Sequence, residues 1–508
     1  MIDRRTLLLT SMSAAIASLI APKGSRAANY VRYNVASDKG KEMLKIYTSA
    51  VQEMKSWKDS DPRSWTFQWY IHASPASKDT EIKKVFGTSS SKEKALAEAS
   101  WYTCQPHAPQ ANGTKTQPDY FLPWHRLYVL QLENIVRQVT QNDAFTLPYW
   151  DYTNAKYYAI PEEFRDPSSP LYKQNRNINN GKGYANVNGG QPINQYYLDN
   201  NLPNPLALPV MQGNEYTDFC STLNGNLHNH VHDLTGNSNN MGYVPTAAGD
   251  PVFWMHHCNI DRIWSNWNAL GGENPNKTVD PKTKEVIDWS TVKFTFVAPD
   301  GTALVADLSS VSNPATLPYS YDSLPQPVSA NVKLVADSAA AASPLTLMSS
   351  APSHSEQTQA MKMDSHALIK LGQTATTVTL TSAAANKAEN KNRRTALKAG
   401  PQKGRIYVVL KSVMVASNPN TSYMINLTLA GQKDRRFVGY LNFFAATHAG
   451  PDATHGDSSV LFDITDLVPK TDLDGLTLQD ATITLEPIGE PEAGSDPTIM
   501  GGIELQIR

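Results

Sequence analysis

Three histidines stand within five positions in the stretch NLHNHVHDLTG, which covers residues 226–236. His228 and His232 are four residues apart, so a helix would place both imidazoles on one face, about one turn from each other. Such a pair can bind one metal ion, although the same spacing also occurs by chance on solvent-exposed helices. His230 points elsewhere and is not predicted to be a ligand. Whether the pair is a metal site therefore depends on what the rest of the chain supplies.

A second histidine pair lies in the stretch GDPVFWMHHCNIDRIWSNW, residues 249–267. Pro251 can open a helix that presents His256 and His257, and Asp261 follows His257 by one turn. A carboxylate at that spacing can hold an imidazole in one tautomer behind a metal. Of the 12 histidines in the chain, eight fall between His72 and His257. A hydrogen-bonded core histidine explains one such residue, but it is a poor explanation for several.

Two amphipathic stretches carry further histidines. The apolar spacing over residues 38–72 predicts a helix that brings His72 near its C-terminal end. A second helix is predicted from HRLYVLQLENIVRQVTQ, residues 125–141, whose apolar stripe begins just after His125. His125 is placed in the first turn of this helix, behind Pro123. Most histidines of this region therefore begin or end an apolar helix.

The donor chemistry narrows the choice of metal. The candidate ligands are nearly all neutral imidazoles, without a CxxC pair or a carboxylate cluster, and imidazole suits copper, zinc, iron or nickel. A zinc hydrolase is disfavoured because the glutamate of an HExxH motif is missing between His228 and His232. Two groups of three histidines would fit two ions, each with an open position for dioxygen. The pattern favours a pair of copper ions.

Chain length and charge restrict the number of domains and the class of binding partner that can be expected. The 508 residues exceed the size at which a single core stops growing, so two or more domains are expected. With 45 Lys plus Arg against 47 Asp plus Glu, and no sustained run of one sign, nothing points to nucleic acid or to an anionic membrane. We therefore predict a small-molecule partner, whereas the composition does not predict an oligomeric state.

Residues 1–27 have the pattern of a cleaved export signal peptide. Arg4 and Arg5 precede an apolar run, and the small residues Ser25 and Ala27 stand at the positions three and one before the cleavage point. The arginine pair favours the twin-arginine route, which carries folded proteins. We therefore predict an exported protein, periplasmic or secreted, and this route would allow a cofactor to be inserted before export.

The remainder of the chain divides by composition. Residues 161–209 are rich in Asn, Gly, Tyr and Pro without any period, which predicts a long surface excursion. Residues 323–365 are rich in Ala, Ser, Pro and Thr, which predicts a poorly ordered linker. In residues 366–508, alternating runs such as TTVTL, RIYVVLKSVMV and SYMINLTL predict an antiparallel domain, with a β-sandwich as the expected form.

Four motifs follow one another along the chain: FLPWHRLYVLQLE, LPYWDY, LHNHVHDLTG and DPVFWMHHCNIDRIW. In this combination the chain resembles the type 3 copper proteins of the tyrosinase and catechol oxidase (polyphenol oxidase) family, in a bacterial exported form of the plant-type architecture. The resemblance implies a multidomain α + β fold. A mainly α catalytic domain, residues 28–322, would be built on a four-helix bundle that holds two coppers, and residues 275–322 would close it. The C-terminal β domain would follow.

The resemblance also implies the copper ligands. By position, the first copper would take His72, His107 and His125, and the second would take His228, His232 and His257, with His256 beside them. His107 stands 18 residues before His125, a wider spacing than is usual in the family, so the insert APQANGTKTQP must loop out. In relatives a cysteine near the second histidine is often joined to it by a thioether. Cys104 would be that cysteine here, and a plain buried thiol is the alternative.

The implied activity is oxidation of o-diphenols to o-quinones by dioxygen, with the coppers exchanging the electrons. Phe253, Phe121 and Trp254 are candidate walls of the phenol pocket, and each would serve equally well as core. Hydroxylation of monophenols, a monooxygenase reaction, also requires loss of a phenolic proton with a pKa of about 10. In the family this ability is associated with an asparagine, here Asn229, and with a glutamate at the position where this chain has Asn224. Hydroxylation therefore stays open.

By resemblance, the C-terminal domain is a lid that keeps the enzyme latent until a protease cuts the linker. A side chain from YLNFFAATH, residues 440–448, would plug the site. Two other classes stay open. An oxygen carrier of the haemocyanin type would use the same ligands without turning phenols over, and a zinc hydrolase would contain zinc. The export signal and the linker favour the latent enzyme.

Overall fold

The computed structural model describes residues 30–107, 117–177, 184–208, 215–280, 283–325, 358–362, 368–381, 405–446, 459–468 and 480–507. The chain forms two compact units. The first runs as far as Trp150 and also contains Trp254–Ser265 and Asn274–Ser323. The second contains Asp151–Phe253, Asn266–Glu273 and the chain from Leu324 onward. The predicted export signal at residues 1–27 lies outside the described residues.

The first unit contains helices α1 (Asp38–Ser56), α2 (Trp65–His72), α3 (Lys78–Phe86), α4 (Lys92–Ser100) and α5 (Phe121–Thr140). Helices α1 to α4 each begin after a serine whose side chain accepts a backbone N–H three residues on: Ser37, Ser64, Ser77 and Ser91. The stretch 38–72, predicted as one helix, therefore forms two. His72 is the last residue of α2, as predicted. Because α5 begins at Phe121, His125 lies in its second turn and not in its first.

The second unit contains helices α6 (Gln195–Asp199), α7 (Tyr216–Leu223), α8 (Asn229–Thr235) and α9 (Val244–Ala247). A π-helical turn, Asn224–His228, joins α7 to α8, and such turns are frequent at functional sites. Helix α10 (Val252–Ala269) follows Pro251, as predicted, and its residues Trp254–Ser265 belong to the first unit. None of the helices in the described ranges combines the length and the apolar character needed to cross a bilayer.

The strands of the first unit are β1 (Tyr30–Arg32), β2 (Lys277–Val279), β3 (Val286–Asp288), β4 (Lys293–Val297), β5 (Ala303–Asp307) and β6 (Tyr319–Tyr321). β1 pairs in parallel with β6, whereas β2 with β3 and β4 with β5 form antiparallel pairs. The segment 275–322, predicted to close the catalytic domain, therefore ends beside the first described strand of the chain.

Asp261 on α10 lies in a buried ionic network of the first unit. Its carboxylate accepts hydrogen bonds of 2.5 to 2.9 Å from four side chains: Arg32, Arg126, Tyr319 and Tyr321. Burial opposes ionisation of Asp261, but the charges of Arg126 and Arg32 outweigh it and lower the pKa of this carboxyl. The prediction that Asp261 orients His257 is therefore wrong. Within the described part of the chain, the Asp261 carboxylate bonds to arginines and tyrosines, so its role is to hold β1, α5, β6 and α10 together.

The predicted surface excursion, residues 161–209, is packed into the second unit where the structure describes it. Phe164, Leu171 and Leu206 are fully buried. Arg176 and Asp250 form an ion pair with a separation of 2.7 Å, and both side chains have no exposed surface. Most residues in 161–177 and 184–208 nevertheless keep exposed surface, so the segment is a surface excursion, as predicted, that a minority of buried side chains anchors to the second unit. The lack of a period reflects irregular backbone, which can be buried when its polar groups are bonded.

The C-terminal strands are β7 (Thr358–Lys362), β8 (Ile369–Lys370), β9 (Thr376–Thr381), β10 (Ile406–Leu410), β11 (Val413–Met414), β12 (Tyr423–Thr428), β13 (Arg436–Leu441), β14 (Val460–Asp463), β15 (Thr482–Pro487), β16 (Thr498–Ile499) and β17 (Ile503–Ile507). They form sheets in the orders β13-β12-β15-β9-β7, β14-β10-β17 and β11-β16-β8. An apolar core that includes Val408, Ile425 and Ile483 is shared by these strands. The predicted C-terminal strand region is confirmed.

One strand lies inside the predicted linker. β7 covers Thr358–Lys362 and pairs in parallel with β9, while the other strand pairs of this region are antiparallel. The strand region of this structure therefore begins before residue 366, the predicted boundary. Residues 326–357 and 363–367 of the linker lie outside the described residues.

Candidate metal centre

Two histidines and a cysteine converge in the first unit. His72 ends α2, His125 lies on α5, and Cys104 lies in the loop after α4, and all three are buried. Their ligand atoms lie within 4.8 Å of one another. We call this set the first-unit donor group. The sequence predicts His72 and His125 as ligands of one metal ion, with His107 and not Cys104 as the third.

The ring of His125 is oriented by its own helix. Its Nδ1 lies 2.8 Å from the carbonyl oxygen of Phe121, one turn earlier on α5. Because a carbonyl can only accept, Nδ1 carries the ring proton of the neutral imidazole and Nε2 presents a lone pair. The sulfur of Cys104 lies 3.6 Å from this Nε2. The lone pair is therefore directed into the donor group.

His257 lies beside this group within the first unit. Its ring stacks on that of His125, with ring centres 4.2 Å apart and an angle of 7° between the planes. Phe121 contacts both imidazoles, at 4.8 Å from the His125 ring and 6.3 Å from the His257 ring. His256 is buried and meets His257 at 4.9 Å between ring centres. The predicted ligand His257 and its predicted neighbour His256 are thus brought next to His125.

His228 and His232 form the donor pair of the second unit, and both are buried. The Nδ1 of His228 lies 2.9 Å from Oδ1 of Asn229, and the Nδ1 of His232 lies 2.8 Å from the carbonyl oxygen of Met241. Both partners are acceptors, so both Nε2 atoms present lone pairs, and these face each other at 3.1 Å. Burial lowers the pKa of His228 to about 3, so this ring is neutral at neutral pH.

The donor set fits copper. Two unprotonated nitrogens at 3.1 Å repel each other unless a cation is shared between them. An imidazole whose second nitrogen is tied to an oxygen acceptor is the usual form of a metal-bound histidine. Copper accepts neutral imidazole as well as sulfur ligands, whereas magnesium and calcium require oxygen ligands that these groups do not provide.

His107 does not join the first-unit donor group. It is half-buried and stands immediately before residues 108–116, which lie outside the described residues. Among the described residues, the sulfur of Cys104, and not a ring nitrogen of His107, lies close to the ligand atoms of His72 and His125. Burial raises the pKa of the Cys104 thiol well above its ordinary value.

The three predicted aromatic walls have different surroundings. Phe121 contacts the first-unit histidines, and Phe253 lies 5.8 Å from His232 within the second unit. Trp254 instead packs on Trp65 and Tyr128, with ring centres 6.1 and 4.3 Å away. Phe121 and Phe253 therefore each lie beside candidate metal-binding histidines of their own unit, whereas Trp254 belongs to the core of the first unit.

The predicted roles of the residues around His228 are only partly supported. Asn229 accepts from His228 through its side chain. Asn224 is the first residue of the π-turn, and its backbone carbonyl, rather than its side chain, faces His228. His230 points away from the pair, as predicted, and its Nδ1 lies 3.0 Å from the carbonyl oxygen of Asn226.

The C-terminal strand region places an aromatic ring on the donor pair. Phe444, three residues after β13, stacks on His232 with ring centres 4.0 Å apart and planes 9° apart. The same ring meets His228 edge-on at 5.9 Å. Phe444 lies in the stretch 440–448 predicted to carry the plug, of which residues 447 and 448 fall outside the described residues. The sequence predicted the stretch but gave no signal that selects Phe444 within it.

Backbone and amide hydrogen bonds fix this ring. The N–H of Phe443 donates to the carboxylate of Asp233 at 3.3 Å, and Nδ2 of Asn442 donates to the carbonyl oxygen of Gly225 at 2.9 Å. Burial raises the pKa of Asp233 to about 7, against the opposing effect of the Phe443 and Phe444 N–H groups. The segment that carries Phe444 is therefore tied to both the π-turn and α8.

Residues 62–270 match the family described as the common central domain of tyrosinase. The tyrosinase HcTyr1 of Hahella sp. (strain CCB-MM4) is 31% identical over 310 residues, which is 55% of this chain and 60% of that protein. A chloroplastic polyphenol oxidase of Vitis vinifera is 27% identical over 311 residues, which is 56% of this chain and 46% of that protein. The chain thus spans about half of the length of these curated relatives.

Solved structures show the same fold. Latent apple tyrosinase aligns with a TM-score of 0.55 at 18% identity, over 96% of this chain and 99% of that one. A latent aurone synthase (polyphenol oxidase) aligns with a TM-score of 0.59 at 18% identity, over 96% and 91% of the two chains. The match to the central domain of tyrosinase and the buried imidazole donors fit a pair of copper ions as the cofactor. Residues 62–270 are thus similar to the central domain of tyrosinases.

Proposed function

We propose that this protein oxidises o-diphenols to o-quinones with dioxygen at a pair of copper ions. The observation that carries the proposal is the His228/His232 pair, in which two buried imidazoles turn unprotonated nitrogens toward each other inside a tyrosinase-family domain. His228, His232 and His257 are proposed to bind the second copper. His72 and His125 are proposed to bind the first, for which the sequence predicts His107 as third ligand.

A bound copper pair would supply the two-electron exchange between dioxygen and the diphenol. The chain's own part is to keep the imidazoles neutral and fixed. In His125, His228 and His232 the ring proton is held on Nδ1 by an oxygen acceptor: the Phe121 carbonyl, the Asn229 side-chain oxygen and the Met241 carbonyl, respectively. The Nε2 atom of each ring is therefore already unprotonated and can bind metal directly. Phe121 and Phe253 provide flat apolar surfaces beside the histidines, which suits a flat phenol ring and excludes water.

Oxygen uptake with a catechol tests this proposal. The copper-loaded chain, before and after protease treatment of the linker, is given a catechol and oxygen consumption is followed together with quinone absorbance. Uptake that needs copper and yields quinone is the expected result. Reversible oxygen binding without quinone would replace the proposal with an oxygen carrier. If metal analysis found zinc instead of copper, and no oxygen were consumed, a zinc hydrolase would replace the proposed copper oxidase.

A matching monophenol decides how far the activity extends. Hydroxylation requires a base for the phenolic proton, and the side-chain oxygen of Asn229 is already engaged by His228. Asn224 supplies an amide where a carboxylate would be required. We therefore propose diphenol oxidation as the main activity, and oxygen uptake with the monophenol as well would extend it to hydroxylation.

We further propose that the enzyme is latent and that Phe444 is the plug, because this ring covers the face of His232 and the edge of His228. Phe444→Ala in the full chain should raise catechol turnover at least tenfold. Phe437→Ala is the matched control, since this ring contacts Tyr440 and not the histidines. Equal turnover of the full and the protease-trimmed wild-type chain would show that there is no latency. Cleavage in the linker removes both substituted positions, so the trimmed forms of all three proteins serve as one common standard.

Export through residues 1–27 is also part of the proposal, as are the four-helix bundle and the β-sandwich implied by the family resemblance. A protein recovered outside the cytoplasm with Ala28 at its N-terminus would support export. Recovery of the uncleaved chain from the cytoplasm alone would contradict it.

A further inference from the structure

The loop directly after α8 carries the hydrogen-bond partner of His232. Residues 236–242 lie between α8 and α9, and the carbonyl oxygen of Met241 accepts the Nδ1–H of His232 at 2.8 Å. The first and last residues of this loop are glycines, Gly236 and Gly242. We infer that both glycines are positioning residues of the copper site, because the contact between their backbones places the Met241 carbonyl against His232. This inference rests on the proposed copper enzyme and adds two residues that act through one of its ligands.

The two glycine backbones leave no room for a side chain between them. A Cβ atom on Gly242 would lie 2.5 Å from the carbonyl oxygen of Gly236 and 2.7 Å from Cα of Asn237. A Cβ atom on Gly236 would lie 2.6 Å from the backbone nitrogen of Gly242 and 2.6 Å from Cβ of Met241. Nonbonded carbon atoms prefer a separation of roughly 3.5–4.0 Å, and backbone neighbours cannot rotate away. A larger residue at either position must therefore push the two ends of the loop apart.

Opening the loop would displace the Met241 carbonyl, since Met241 directly precedes Gly242. This carbonyl is a backbone group of a fully buried residue, so no side-chain rotation can restore its hydrogen bond to His232. The hydrogen bond that one ring nitrogen makes decides which nitrogen of a neutral histidine carries the proton. Without the acceptor, the proton can also occupy Nε2, the nitrogen that faces His228 at 3.1 Å. The glycine contact therefore keeps Nε2 of His232 free to bind metal.

A buried amide holds the same loop closed. Asn240 has no exposed surface, and its Oδ1 accepts the N–H of Asn237 at 2.8 Å. Its Nδ2 donates to the carbonyl oxygen of Gln174 at 3.3 Å, which ties the loop to another segment of the second unit. Asn240→Ala removes both bonds without adding an atom. This variant therefore loosens the loop by a cause that is independent of the steric effect of Gly242→Ala.

Two measurements on the full-length protein test the inference. ¹⁵N NMR of the metal-free, histidine-labelled protein follows the His232 ring, whose signals are those missing in His232→Gln. Competition with a chelator gives the affinity of the weaker copper in the protein loaded with Cu(I). Gly242→Ala should shift the His232 ring from the Nδ1–H form toward a mixture of tautomers and weaken copper binding by about 10–100-fold. Asn240→Ala should change both in the same direction by less. Gly372→Ala is the control for an added methyl group, because a Cβ atom there would meet nothing within 4 Å.

Asn194→Ala is the matched control for Asn240→Ala. Asn194 lies in the same unit and also has no exposed surface, and its Nδ2 donates to Oδ1 of Asn204 at 2.8 Å. Its loss should lower the free energy of unfolding but leave the His232 signals and the copper affinity at wild-type values. Because Asn240→Ala adds no atom, it keeps the inference testable if Gly242→Ala fails to fold.

Two outcomes overturn the inference. Wild-type His232 signals and copper affinity in Asn240→Ala, or in folded Gly242→Ala, would mean that the loop contributes to stability alone. Equal changes in Asn194→Ala would mean that the ring responds to lost stability and not to the loop. A wild-type chain that binds no copper would overturn the proposed function instead, and the NMR of the metal-free protein would still decide whether the loop orients the His232 ring.

Discussion

The two donor groups are built in different ways. His228 and His232 come from one continuous helical run, and each Nδ1 is fixed by an oxygen that is near in sequence, on Asn229 or Met241. The first-unit donor group is spread over residues 72–125 and is assembled from two helices and a loop. One group is encoded by local spacing, and the other exists only once the unit has packed. Substitutions should therefore weaken metal binding at the two donor groups for different physical reasons.

Removing a ligand from the local pair should have the largest effect. His232→Gln deletes a buried donor nitrogen, so one copper should be lost and catechol turnover should fall by about 10³-fold or more, as for other groups essential to a reaction. Copper analysis and oxygen uptake on the protease-trimmed enzyme measure both effects. His230→Gln, two residues away and pointing elsewhere, should retain both coppers. If His230→Gln lost as much copper as His232→Gln, the assignment of ligands on α8 would be wrong.

The first-unit donor group should be more sensitive than the His228/His232 pair to the loss of the buried ionic network around Asp261. Asp261→Asn leaves the buried Arg126 without its carboxylate partner and removes one of the two that pair with Arg32. Breaking a buried ion pair in this way costs about 3–5 kcal/mol in the free energy of unfolding. Denaturant titration of the full chain measures it. The control is Glu42→Gln, whose solvent-exposed pair with Lys39 should have far less effect on the free energy of unfolding. Similar losses for both variants would show that the network is not structurally important.

The same distinction explains what could be predicted from the sequence. The spacing of His228 and His232 and the position of Pro251 are local signals, and α8 and α10 appear where they predict helices. The one-turn spacing predicts that Asp261 orients His257, but the partners of Asp261 lie on β1, α5 and β6, and no local sequence pattern indicates them. The composition of residues 161–209 predicts a surface excursion, but with no period it cannot predict which side chains, such as Phe164 and Leu171, are buried as anchors.

The placement of Cys104 and Phe444 shows the same limit. A cysteine in a loop has no periodic signal, and it reaches the donor group through a backbone ladder to α2 that forms between distant residues. Phe444 is one of two adjacent phenylalanines, and alternation alone cannot determine which ring packs into the apolar core and which one meets His232. In the structure Phe443 joins the core, and Phe444 stacks on the histidine.

The partners of the Nδ1 atoms allow a finer comparison inside the local pair. Asn229→Ala removes the acceptor that orients His228, whereas the acceptor for His232 is a backbone carbonyl and stays in place. Loss of such a partner typically weakens metal affinity by about 10–100-fold. Competition with a copper chelator measures the affinity of the weaker copper. Asn229→Asp keeps an oxygen acceptor and should stay near the wild-type value. Equal weakening by Asp and Ala would mean that the amide acts in some other way.

The smallest effect is expected at the start of α2, the helix that ends at His72. Ser64 is buried, and its hydroxyl accepts the N–H of Phe67, satisfying one of the first-turn donors of the helix. Ser64→Ala should lower the free energy of unfolding by about 1 kcal/mol, because that donor loses its partner, while Ser64→Asn should restore most of it. Helix α8 continues directly from the π-turn and has no side-chain cap to remove. The Ser64→Ala loss should therefore weaken copper binding at the first-unit donor group and leave the His228/His232 pair unchanged. A copper titration that follows both sites measures these affinities. Equal weakening at the first-unit donor group and at the His228/His232 pair would show that the substitution does not act through α2 alone.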